Sequence, residues 1–248
     1  MKSRSSYTGI LYAIILGTTF TIIALWTKSH LDGIPWYLFS SLHRLIYGLA
    51  ALFLFCRLYT KKPGEVFHLQ NRKAALVAGS GFILYLLYYI ITLFLGIDHI
   101  EALTFPLVFS HLFLQQITTG FFEEMTYRGL VLEGYFLQEN KTLKAELIYA
   151  FASFLLFGLA HISGGLYSFV FTGILGFSFA AIYLKSHNIL IPMGLHFLYD
   201  VFANMNDYIR YSDSAIFRGF NSAFPVMVAV MFFVSFWQFA FAPKLRSD

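Results

Sequence analysis

The sequence predicts an all-α, polytopic integral membrane protein of about eight transmembrane helices. Three observations predict it. Of 248 residues, 58% are hydrophobic and only 12% charged, about half the charge of an ordinary soluble domain. Apolar stretches approaching the ~20 residues of a membrane helix recur along the chain. The basic residues between them fall mostly on one side of the alternation. The same composition excludes a disordered chain, which is poor in aromatics; this one has 30 Phe and 16 Tyr. The net charge of +4 is spread over short loops, so the expected partners are the lipid bilayer and a protein or peptide, with no nucleic acid.

Each stretch has its own reason. Tyr7–Thr27 follows the basic segment MKSRSS; its apolar run is too long for a signal peptide and no small-x-small site follows, so it is expected as a retained span. Trp36–Tyr59 carries His43 and Arg44, for which the pattern offers no role, and the lone Cys56. One cysteine makes no intramolecular disulfide and no multi-cysteine metal site. Ala74–Ile97 is the third stretch. Pro106–Gln138, the fourth, is longer than a perpendicular span and must tilt or project. Leu147–His161 and Ile189–Met205 are short and carry histidine, as helices shielded by neighbours would. Between them, Leu166–Leu184 offers Gly173, Gly176, Ala180 and Ala181 for close helix approach. Phe224–Phe241 is the last. Trp26, Trp36, Tyr37 and Trp237 are placed as interfacial anchors. Nothing divides the chain, so residues 1–248 are expected as one membrane domain with a motif-bearing core at 106–205.

The charges orient this layout. With the N-terminus inside, the inner segments hold Lys2, Arg4, Arg57, Lys61, Lys62, Arg72, Lys73, Lys141, Lys144, Lys185, Lys244 and Arg246. The outer segments hold Lys28, Arg210 and Arg218, and Arg44 and Arg128 fall within spans. The positive-inside rule then puts both termini in the cytoplasm, and a chain of this size and loop economy suits a prokaryotic cytoplasmic membrane.

Ionisable groups at bilayer depth cost roughly 2.5–3.5 kcal/mol each on insertion scales and mark function unless paired. Glu123, Glu124, Arg128, His161, His196 and Asp200 fall on three of the last five stretches. Glu124 and Arg128 are four apart and can pair on one helix face. Glu123, about 100° around, is the spare carboxylate and suits a general base. His161 ends an FGLAH run. His196 and Asp200 are again four apart, so the carboxylate can orient the ring. A glutamate and two histidines on three helices can surround one water, the minimum for hydrolysis. Two His and a Glu could also hold zinc with an open fourth position. The one-helix HExxH arrangement is absent and an arginine sits beside the carboxylates, which favours a metal-free site without a cofactor.

EEMTYRG (Glu123–Gly129) resembles the EExxxR motif of the CPBP family, the CAAX-protease and bacteriocin-processing group also called Abi. FGLAH (Phe157–His161) is similar to its FxxxH motif and HFLYD (His196–Asp200) to its HxxxN/D motif. The resemblance covers roughly Pro106–Met205. It implies an eight-helix intramembrane glutamic endopeptidase in which Glu123 activates water with His161, His196 and position 200 stabilise the oxyanion, and Glu124 and Arg128 support the site. The prenyl-protein proteases of the family have Asn where this chain has Asp200. An ionised Asp cannot donate a hydrogen bond, so Asp200 is expected to orient His196 instead. A binding-only member, such as an immunity or scaffold protein, and a proton-coupled transporter are the alternatives. A transporter should show paired broken helices or repeat symmetry, and the sequence has no such pattern.

Overall fold

The apolar stretches fold into helices near their expected places, in a computed structural model that describes residues 2–101 and 103–241. The hairpin α1 (Lys2–Lys28) and α2 (Gly33–Tyr59) turns at Gly33, whose φ of +52° a side chain would resist. One turn, α3 (Pro63–Val66), leads to α4 (Arg72–Ala78) and α5 (Ser80–Gly96), which meet at Gly79 with a bend of 65°. The third expected stretch is therefore two helices. A continuous helix, α6, covers residues 105–136, with π-helical segments at Val108–Gln115 and Met125–Leu130 on either side of Gln116–Glu124. Then come α7 (Leu143–Ala160), α8 (Gly165–Ser186), α9 (Leu190–Met205), α10 (Ala215–Ser222) and α11 (Phe224–Phe241). Lys244 and Arg246, part of the inner basic set, lie outside the described residues.

Among the described residues, five helical stretches are long and apolar enough to cross a membrane, or six if the bent pair α4–α5 counts as one. This is fewer than the eight expected. The other two expected spans exist as helices, but α6 carries Glu123, Glu124, Arg128 and Glu133, and α9 has only 16 residues. The short helices α3 and α10 were not expected, nor was a two-stranded ribbon. β1 (Ile97–Ile100) pairs antiparallel with β2 (Ile209–Tyr211), aligning Ile100 with Ile209 and His99 with Arg210. This ribbon joins the end of α5 to the end of α9.

The outer surface explains the composition. Leu11, Ile22, Leu42, Phe53, Leu87, Ile148, Leu155 and Phe233 are exposed on α1, α2, α5, α7 and α11, an apolar belt that water would not tolerate and lipid does. Such a belt is that of an integral membrane protein. Inside, α7 and α8 lie close. A side chain added at Gly176 would come within 3.1 Å of the Ser153 carbonyl, and one at Gly173 within 2.8 Å of the Phe154 ring. The small residues there serve packing. At the cytoplasmic end expected from the basic residues, buried Glu133 on α6 accepts from Tyr183 Oη at 2.6 Å and His187 Nε2 at 2.8 Å, and pairs with Lys61. This cluster ties α6 to α8 and to the end of α2.

Candidate active site

Glu124 is the hub of the buried charges. Its Oε1 lies 3.1 Å from Arg128 Nη1, the i,i+4 pair expected from spacing, and both side chains are sealed from solvent. The same oxygen accepts from His196 Nδ1 at 2.7 Å. A carboxylate only accepts, so Nδ1 carries the proton in that bond. His196 Nε2 then points between two more carboxylates, 3.5 Å from Glu123 Oε2 and 3.4 Å from Asp200 Oδ2. The ring was expected to be oriented by Asp200. The shorter contact, from Glu124 across the helix interface, is the one that orients it.

Two phenylalanines hold this arrangement. The Arg128 guanidinium lies 4.5 Å from the Phe157 ring centroid and 5.0 Å from that of Phe179, a placement favoured by the ring quadrupoles. His196 stacks on Phe179 at 5.2 Å and meets Phe157 edge-on at 5.8 Å. Phe157 also packs edge-on against His161 at 4.7 Å. The aromatic of the FGLAH run thus positions the arginine and both histidines. His161 caps the C-terminus of α7, and its Nδ1 donates to the Phe157 carbonyl at 2.9 Å. That bond leaves Nε2 as the ring's acceptor. The approach of α9 to α6 depends on Gly120, where a Cβ would come within 3.1 Å of the Met193 carbonyl and 3.9 Å of His196 Cβ.

These groups line one cavity of about 560 Å³, whose walls include Glu123, His161, His196 and Asp200. Glu124 and Arg128 sit behind the wall; Glu123 keeps some exposure and Glu124 none. Exposed Lys28, Asp32 and Asp207 rim its mouth, at the end of the bundle opposite Glu133. A smaller cavity of about 180 Å³ adjoins it, sharing Lys28, Trp36, Arg44, Glu123 and His161. Trp36 and Tyr37, expected as interfacial anchors, line the main cavity, and Tyr37 stacks on His111 at 4.0 Å.

The sequence reading missed several wall residues. Arg44 was left without a role. It lines both cavities, donates to Ser40 Oγ, and faces the charges of Glu123 and Asp200. His111, Gln115 and Thr119 also line the cavity, one helical turn apart and in line with Glu123. Their spacing of four is a signal that was present: polar residues at 111, 115, 119 and 123 in an otherwise apolar stretch. In a pure α-helix of 3.6 residues per turn such a stripe drifts around the axis. The wider i→i+5 turns of Val108–Gln115 take up the drift. Among the described residues, no group of three or more His, Cys, Asp or Glu side chains is arranged to hold a metal ion.

A family model described as Rce1-like, type II CAAX prenyl endopeptidase Rce1-like, matches residues 104–202. The matched segment contains all six ionisable residues singled out above. No curated protein and no solved structure matches the chain. The description agrees with the resemblance read from the three motifs. Residues 104–202, less than half of the chain, are thus similar to the Rce1-like type II CAAX prenyl endopeptidase family.

Proposed function

We propose that this protein is an intramembrane endopeptidase that hydrolyses a peptide bond of a membrane-associated substrate by a water activated at Glu123. The observation that carries the reading is the convergence of Glu123, His161, His196 and Asp200 from three helices on one cavity within an apolar bundle. In the reaction, Glu123 takes a proton as the water oxygen bonds to the scissile carbonyl carbon. His161, with Nε2 as acceptor, holds the water beside it. The carbonyl oxygen gains a negative charge and accepts from His196 Nε2–H, whose ring is fixed by Glu124. The C–N bond then breaks as protonated Glu123 returns its proton to the leaving nitrogen, giving a carboxylic acid and an amine. Asp200, 3.4 Å from His196 Nε2, stabilises the imidazolium form.

We read the site as metal-free. Arg128 against Glu124 supports this, because its positive charge works against a cation; zinc held by the two histidines and a glutamate is the alternative. The substrate class is a chain with a C-terminal signal or leader segment near the membrane. We place the protein in a prokaryotic cytoplasmic membrane as one domain, with α4–α5, α6 and α9 completing eight spans and both termini cytoplasmic.

The test is cleavage by purified protein in lipid nanodiscs, with products identified by mass spectrometry. Glu123→Gln should abolish cleavage and leave the thermal melt unchanged, and should trap substrate for identification. Retained cleavage in that variant would overturn the assignment. Activity lost on exhaustive chelation and restored by zinc alone would instead make the histidines ligands.

A further inference from the structure

Arg44 stands on α2, outside the matched segment, yet lines both cavities beside Glu123 and His161. Its side chain is held on two sides. Nη1 donates to Ser40 Oγ, which also accepts from Gln115 Nε2 at 3.1 Å. Its Cζ lies 5.6 Å from the Phe20 ring centroid. Its Nε is buried and has no hydrogen-bond partner.

The charges around it define what it can do. Three carboxylates, Glu123, Glu124 and Asp200, meet at His196, and Arg128 is committed to Glu124. As water attacks, Glu123 takes its proton and one negative charge passes to the carbonyl oxygen, beside the remaining carboxylates of Glu124 and Asp200. His196 supplies one donor. Asp200, as a carboxylate, supplies none. A guanidinium stays protonated throughout the accessible pH range and has several N–H groups. We infer that Arg44 is a catalytic residue that donates to the oxyanion of the tetrahedral intermediate alongside His196. This rests on the endopeptidase reading of the same site. Its location fits, because base and oxyanion donors must flank a single carbonyl carbon.

The test uses the full chain in nanodiscs and a quenched fluorescent peptide with a prenylated cysteine fourth from its C-terminus. Arg44→Gln should lower kcat about 100-fold at every pH, with KM changed less than about twofold. Arg44→Lys keeps the charge and should recover about tenfold of that loss. Thermal melts accompany both. A wild-type kcat in Arg44→Gln would overturn the proposal. So would a rise in KM alone, which means ground-state binding, or a loss that vanishes at another pH, which means Arg44 acts only through the protonation of Glu123. Should Arg44→Gln fail to fold, Arg44→Lys decides, by a kcat lowered at constant KM or left unchanged. A wild-type protein that leaves the peptide intact overturns the endopeptidase reading and this proposal together, an outcome distinct from the others.

Discussion

Glu124 and Glu123 are neighbours in sequence with opposite situations. Glu124 is sealed and bonded to both Arg128 and His196, whereas Glu123 faces the cavity. Glu124→Ala strands a fully buried guanidinium, a loss of about 3–5 kcal/mol by analogy with other broken buried pairs. The melting temperature should therefore fall along with activity. Glu123→Gln should remove activity alone. A Glu124→Gln protein that is inactive yet fully stable, beside an active Glu123→Gln, would reverse these roles. The Glu124–Arg128 pair was legible from spacing because both partners lie on one helix. The bond from His196 was not, since its partner is 72 residues away and only the packing of α9 on α6 brings them together. Arg44 was visible as an arginine in an apolar run, but its purpose depends on which way α2 faces.

At the scale of elements, the site depends on how closely α9 lies against α6. Gly120 sets that distance, one turn before the glutamates. Gly120→Val should push α9 outward, lengthen the Glu124–His196 bond and cost about 1–3 kcal/mol from overpacking. The check is a lowered melt together with a kcat loss larger than that of an equally destabilised variant remote from the site. The long apolar helices were legible, because hydropathy alone determines where apolar residues cluster; the short α3 and α10 were not. The break at Gly79 and the ribbon of β1 and β2 were not. A single glycine does not announce a 65° bend, and strands of three or four residues take their register from tertiary contacts.

For the whole molecule, the polarity of the bundle is its main property. The cavity mouth lies at the end carrying Lys28, Asp32 and Asp207, and the Glu133–Lys61–His187 cluster lies at the other. If both termini are cytoplasmic, the mouth faces the extracytoplasmic side. A cysteine at exposed Ser163, in a Cys56→Ala background, should then react with an impermeant maleimide on intact cells. One at exposed Glu139 should react only after the cells are opened. The reverse pattern would turn the site toward the cytoplasm. Glu133 serves the opposite end as a clamp on three elements, so Glu133→Ala should lower the melt without altering KM. Its partners would be left buried or half-buried without their acceptor.

The π-helical segments of α6 make residue number itself a constraint. Each accommodates extra residues within the height of an ordinary turn, and the helix is anchored beyond them by Glu133. Deleting one residue from Met125–Leu130 would let that turn close to regular α-helix and leave the phase of the residues before it almost unchanged. Adding one residue to a turn that is already wide would instead rotate everything before it by about 100° relative to the anchored end. Glu123 and the polar row before it would then swing away from His196, although no side chain had changed chemically. Single-residue insertions in this segment should therefore cost activity far more than single-residue deletions or substitutions. Homologous chains would be expected not to exceed this count between the two glutamates and Glu133, even where the residues in between differ.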